Sequence, residues 1–382
     1  MTIRELLGHQ AGIVRDGVAS DYWQLMTHFP TRDELIDGLL EDGVVLVPNA
    51  HFKYTNFGYA LLGLVIENAS GRSFDEYVRE RILDPLDLPH VHADIDHLDD
   101  AELAECAWGH SQRLDGDDET FVVDNPSTGA LAPATGFVAC AEDLSAYAAA
   151  HAYGDTRLLS DATKRLMQRP ESLIVVGGEE KGRYGLGLIL TQVGKRRTVG
   201  HSGGFPGFIT RTYVDPTDGL VVSVLTNQAD GPAADLGSGV LKMIDLAATK
   251  PADLDLWAAG WPEDIETGMT VAQAREQGID PASYTGRFVS SWGHLDIRLL
   301  GDRLLALSPD SPSPADDAEE LRILDVDTLL GVPESSFGAS GERWVFDRDD
   351  SGAVTSVISG GSTFLPAEEF RRVRRAMSAR GD

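Results

Sequence analysis

Lysine is scarce in this chain. Six of its 32 basic residues are lysine (Lys53, Lys164, Lys181, Lys195, Lys242 and Lys250), against 61 acidic residues, which leaves a formal net charge of -29 at pH 7. Nucleic acids and anionic membranes are bound through clustered Lys and Arg, so this balance argues against both as partners. Cysteine is scarcer still. Cys106 and Cys140 are far apart, with no Cys-x-x-Cys pair, so neither a zinc site nor a disulfide framework is indicated and both are expected as buried thiols. No apolar run approaches the ~20 residues of a spanning helix. The opening Met1-Thr2-Ile3-Arg4 does not resemble a secretory signal, so the chain as given is expected to be soluble, with a cytoplasmic location favoured.

What is present divides by periodicity. A length of 382 residues allows a sizeable core and suggests two domains. Gly58 to Asn68 is apolar on nearly all sides and reads as a buried helix closed by Gly71. Phe74, Tyr77, Val78 and Ile82 continue at helical spacing until Asp84-Pro85. A polar stretch rich in His and Asp follows from His90 to Asp118, including Asp115-Gly116-Asp117-Asp118-Glu119, and is expected as an irregular surface lobe. Glu142 to Ala150 is helical again. From Tyr184 the pattern becomes strands: Tyr184 to Leu190, Arg197 to His201, Phe208 to Val214 and Leu220 to Leu225, with a helix from Asp235 to Ala248 packed on them. Breaker residues around Trp257 to Pro262 place a linker over 251–280. Beyond it, short apolar runs at hairpin spacing (Tyr284 to Phe288, Leu295 to Leu299, Arg303 to Leu307, Trp344 to Phe346, Val354 to Ile358) indicate a small β domain over 281–370.

Two motifs carry the chemistry. Tyr54-Thr55-Asn56 stands directly before the apolar helix, and His201-Ser202-Gly203-Gly204 lies in the strand region. With Thr2 to Gly12, Pro133 to Leu144 and Tyr184-Gly185-Leu186-Gly187, in this order, they resemble the serine β-lactamase and penicillin-binding-protein family over most of Thr2 to Ala248. That family attacks acyl groups with the serine of a Ser-x-x-Lys motif. No such motif occurs here: the residues three before the six lysines are Ala50, Asp161, Gly178, Gln192, Gly239 and Ala247.

The resemblance implies an α+β fold. Residues 1–250 would form a β-lactamase-like antiparallel sheet with packed helices, N-terminally truncated so that the nucleophile segment is missing, and 281–370 a lipocalin-like β-barrel. It also implies roles. Tyr54 would share the base function, Asn56 would hold the substrate amide or the family's lysine, His201 would orient substrate or assist proton transfer, and the backbone N–H of Gly204 would donate to an oxyanion. A histidine merely satisfied in a Gly-rich turn remains open for His201. The function implied is serine-dependent acyl transfer on a small-molecule or peptide substrate, with no cofactor and no metal, inactive in this truncated form. One alternative is a non-catalytic relative that binds ligands or partners.

Gly200-His201-Ser202-Gly203-Gly204 also spells G-x-S-x-G, which would make Ser202 the nucleophile of an α/β-hydrolase elbow. Its context argues against this, because Lys195-Arg196-Arg197 precedes it and Phe205-Pro206-Gly207 with a β-branched run follows. The cluster His90, His92, Asp94, Asp96 and His97 holds ligand-type residues without the His-Glu-x-x-His spacing of a helical zinc site, and is expected as a solvated acidic loop.

Overall fold

The computed structural model describes residues 1–17, 20–113, 119–251, 267–291, 293–332 and 341–378. It divides into two compact units, Met1–Val240 and Leu241–Asp382. Most of the acidic run at 115–119, and the Trp257 to Pro262 stretch, lie outside the described residues.

Several helices of the first unit begin where side chains satisfy the free N–H groups of the first turn. Thr2 with Glu5, Thr31 with Glu34, and Ser73 with Glu76 each form a reciprocal capping box. The apolar helix Asn56–Ser70 is capped by Thr55, whose Oγ1 accepts from Gly58 N at 2.8 Å, and is closed by Gly71 at φ 71°. Thr55 as N-cap therefore puts Asn56 on the first helical position and Tyr54 just outside it.

Two short strands, β1 (Gly109–His110) and β2 (Val122–Val123), pair with each other. The main sheet is an antiparallel meander of six strands in sequence order: β3 (Ser172–Val176), β4 (Glu179–Tyr184), β5 (Ile189–Val193), β6 (Arg196–Phe205), β7 (Phe208–Val214) and β8 (Val221–Thr226). The single strand expected over Tyr184 to Leu190 is broken at Gly185–Leu188. A Cβ on Gly185 would lie 2.1 Å from Met167 O, and Gly187 sits at φ 77° with its N–H given to Leu7 O at 3.1 Å. The helix Ala233–Ala248 begins on this sheet, with Tyr213 Oη donating to Ala234 O at 3.2 Å.

The second unit holds an eight-stranded closed antiparallel barrel: β9 (Gly286–Ser290), β10 (Gly293–Leu300), β11 (Arg303–Leu307), β12 (Glu319–Asp325), β13 (Thr328–Gly331), β14 (Arg343–Arg348), β15 (Val354–Ser359) and β16 (Ser362–Pro366), which returns to β9. Closure removes the free edges of a sheet. Alternate residues such as Leu295, Ile297, Leu304, Ala306, Trp344 and Phe346 fill one core, and Val271 and Ala274 belong to the same cluster. Those two lie on the helix Val271–Glu276, within the span read from sequence as linker. Three of the buried charges in this unit form one cluster: Glu320 accepts from Arg303 Nε at 2.8 Å and pairs with Arg322 Nε at 3.0 Å.

The expected α+β architecture, antiparallel sheet and C-terminal barrel are present. Two smaller expectations are corrected. The His90–His97 segment is solvated only in part: His90, Asp96 and His97 are exposed, but Asp94 and His92 are buried, Asp94 accepting from Thr128 N at 2.9 Å and from the Thr128 hydroxyl, and His92 Nε2 meeting Glu102 at 3.1 Å. Asp94 thus anchors the turn that leads to Gly136. The two thiols are not both buried either. Cys140 is exposed as the N-cap of the helix Ala141–Ala149, where its Sγ accepts from Asp143 N at 3.4 Å, and Cys106 is half-buried.

Candidate active site

The first unit contains a cleft of about 1370 Å³, and Tyr54, Asn56, His201 and Gly204 all line it. They arrive from two directions. Tyr54 and Asn56 come from the start of the helix Asn56–Ser70, while His201 and Gly204 lie on β6.

β6 runs five residues beyond its pairing with β5. The β5 register ends at Gly200, whereas the β7 register continues to Phe205 opposite Phe208, closed by the two-residue turn Pro206-Gly207. From His201 to Phe205 one edge of β6 therefore faces the cleft unpaired. In an antiparallel ladder, N–H groups point alternately to either side, and the closing pair of a two-residue hairpin bonds to itself. Ser202 and Gly204 then present their backbone groups to the open edge. His201 agrees with this parity, since its Nδ1 donates to Ser202 O at 2.6 Å. Gly204 is thus an exposed N–H donor on a strand with no side chain to obstruct approach.

That bond also sets the histidine's state. With Nδ1–H committed to a carbonyl, the neutral ring offers Nε2 as acceptor, and Tyr184 Oη donates to it at 3.0 Å. Burial holds the His201 pKa below its ordinary value, helped by the charge of Arg211. His201 is a neutral, oriented ring.

Tyr54 and Asn56 sit in a denser network. Asn56 Nδ2 donates to Asp16 Oδ1 at 2.7 Å, both residues being buried, and Arg15 Nε pairs with Asp16 Oδ2 at 3.1 Å. The Arg15 guanidinium lies 5.6 Å from the Tyr54 ring centroid. Burial raises the Tyr54 pKa while the Arg15 charge pulls it down.

Residues that the motif reading did not single out complete the wall. His9, 1% exposed, packs against Phe52, Tyr54, Tyr59 and Tyr184, and its Nδ1 accepts from Thr55 N at 3.2 Å. Desolvation, with the neighbouring His201, pushes its pKa down to about 3. Its carbonyl takes Lys53 N at 2.8 Å, so His9 holds the Tyr-x-Asn segment on both sides of Tyr54. Tyr59 donates to Leu7 O at 2.8 Å. Helical spacing carried a signal for Tyr59, three residues after Asn56 and so on the same face. Nothing in the spacing of His9 marks it.

Ser202 is not at an elbow. The chain stays in β6 to Phe205 and returns as β7, so no helix follows the serine and the α/β-hydrolase reading is overturned. The His90–His97 cluster does not enter the site as a metal centre: no group of three or more His, Cys, Asp or Glu arranged to hold a metal ion is found among the described residues.

The Beta-lactamase family model matches residues 1–241. The chain belongs to the β-lactamase family. This β-lactamase-family chain is 26% identical over 306 residues to penicillin-binding protein 4* of Bacillus subtilis (strain 168), covering 76% of this chain and 62% of that protein. It spans about three fifths of the length of that protein and of penicillin-binding protein 4 of Amycolatopsis lactamdurans. Among solved structures, the octameric penicillin-binding protein homologue from Pyrococcus abyssi shares the fold at a TM-score of 0.54 and 22% identity, over 96% of this chain and 78% of that one. D-amino acid amidase from Ochrobactrum anthropi SV3 does so at 0.52 and 23%, over 63% and 70%. The protein is thus a β-lactamase-fold relative of the penicillin-binding proteins whose second unit is an eight-stranded barrel.

Proposed function

We propose that the cleft is the acyl-transfer site of a serine hydrolase acting on an ester, amide, D-amino-acid peptide or lactam. The convergence of Tyr54, Asn56 and the open β6 edge at Gly204 carries this reading. Acyl transfer needs a nucleophile, a group to take its proton and donors for the developing oxyanion. In this proposal Tyr54 relays the proton, Gly204 N–H is an oxyanion donor, and neutral His201 positions the substrate. These 382 residues contain no Ser-x-x-Lys, so by themselves they bind substrate without turning it over. The nucleophile comes from a Ser-x-x-Lys segment supplied from elsewhere. A cleft of about 1370 Å³ exceeds the ~300–1,000 Å³ of ordinary small-molecule sites and leaves room for such a segment beside the substrate.

The chain alone should neither hydrolyse p-nitrophenyl esters or nitrocefin nor be acylated by a fluorescent penicillin. Fused to a Ser-x-x-Lys helix, it should gain esterase activity that disappears when the new serine is alanine. In that fusion Tyr54→Phe should lower kcat by ~10²–10⁴-fold, and His201→Ala should act mainly on KM. Near-unchanged kcat in a folded Tyr54→Phe fusion would remove the central residue of the proposal. A fusion that binds substrate analogues yet never acquires turnover would favour a non-catalytic ligand-binding role, in keeping with Asn56 being engaged by Asp16.

A further inference from the structure

The cleft differs from the surface around it. The protein carries a net charge of -29, yet among the described residues lining the cleft Asp16 is the one carboxylate and Arg15 the one permanent cation. Arg15 is already paired with Asp16 at 3.1 Å. Both lining histidines are held neutral: burial lowers the pKa of each, and His201 spends Nδ1–H on Ser202 O and Nε2 on Tyr184. Arg211, on β7 opposite Ser202, is buried outside the cleft lining, with its guanidinium over the Tyr213 ring at 4.4 Å and its Nε unpartnered. Among the described residues lining the cleft, no permanent cation stands without a carboxylate partner.

Beside Gly204 the lining turns aromatic. Phe205 stacks on Phe29 with centroids 6.0 Å apart, and meets Trp23 and Phe208 each at 6.4 Å. Leu225 of β8 adds to the same region of the cleft. An apolar group of a ligand whose carbonyl oxygen reached the Gly204 N–H would lie on these rings.

We infer that the site selects neutral acyl compounds with an apolar, aromatic acyl group, and rejects those bearing a carboxylate. This rests on the cleft being the substrate site. Two effects act in one direction. Moving a carboxylate out of water with no free cation to receive it is costly, whereas an amide or ester loses little. The long-range field of a strongly acidic protein also lowers the local concentration of anions. The aromatic wall supplies the favourable term for the neutral compound.

The test needs binding and no turnover, so the 382-residue chain serves as it is. N-phenylacetyl-D-alanine amide and N-phenylacetyl-D-alanine differ by one charge, and calorimetric titration of both at pH 7 in 0.15 M salt gives the ratio directly. The amide should bind at least about tenfold tighter than the acid. Phe205→Ala should weaken the amide, and Leu225→Arg, which adds a cation at an exposed cleft position, should strengthen the acid alone. An acid that binds as tightly as the amide, or a Leu225→Arg protein that fails to improve it, would overturn the inference while leaving the cleft as the binding site. If neither compound binds, the cleft reading itself fails and the selectivity falls with it.

Discussion

Acidification should destabilise this protein through one buried ring. His9 has a native pKa pushed down to about 3, while an unfolded chain takes up the same proton near 6.5. Below that value the unfolded state binds a proton that the native state refuses, so stability rises with pH through the window from about 3 to 6.5 and is lost on the way down. Each pH unit inside the window is worth about 1.4 kcal/mol, so a fall from 6.5 to 4.5 should remove about 2–3 kcal/mol on account of His9 alone. The control is His9→Asn. Asparagine tolerates the left-handed backbone found there (φ 54°) and can accept from Thr55 N as the ring does, but it does not titrate. The variant should be less stable at pH 7 by about 2 kcal/mol for the packing lost among four aromatic rings. It should also show a flatter pH dependence. His151 and His201, whose burial shifts them the same way, are present in both proteins and cancel in the comparison. Urea titrations followed by tryptophan fluorescence between pH 7 and 4.5 supply both curves. Parallel curves would refute the reasoning, because they would mean that His9 protonates as readily in the fold as outside it.

Three other outcomes follow from particular contacts. Tyr184→Phe removes the hydroxyl that donates to neutral His201 Nε2, so the His201 titration followed by NMR should move upward; a downward move would contradict the assigned tautomer. Asp94→Ala leaves Thr128 N–H and its hydroxyl without their buried acceptor and should cost about 2–4 kcal/mol in urea denaturation, with a change under 1 kcal/mol counting against the anchoring role. Gly63→Ala would gain about 1 kcal/mol of helix propensity on an exposed helix. Here the new methyl would meet Pro133 Cγ at 2.2 Å, so the net effect should be a lower melting temperature, and a rise would show that Pro133 yields freely.

The parts of the fold legible in the sequence were those whose burial leaves a period. The helix Asn56–Ser70 and strands β7, β11 and β15 bury one face or more against a core, and their apolar spacing marks them. Strands β3 and β4 form a hairpin with Leu173, Val175 and Val176 exposed and Glu179, Glu180 and Lys181 opposite, so no core pattern announces them, although Gly177-Gly178 is a recognisable turn. β12 escaped for the opposite reason: it is buried, yet it carries Glu320 and Arg322, two residues apart on the strand, whose charges are compensated together with Arg303 of the neighbouring β11. At the site, Tyr54, Asn56, His201 and Gly204 were visible as motif residues. His9 and Asp16 were not, because their roles arise from segments some 40 residues apart meeting at Thr55 and Asn56. Pairings of that kind have no local period.

The buried triad of Arg303, Glu320 and Arg322 limits how this barrel can change over generations. Removing one member of a buried ion cluster strands the others and costs ~3–5 kcal/mol, while replacing all three by well-packed apolar residues can be neutral or better. The two ends of such a substitution path can be equally fit while its intermediate steps are not. Drift at these three positions should therefore be correlated: a library that varies them together should yield folded apolar combinations that no series of single replacements reaches, since the stability of each residue is conditional on its neighbours.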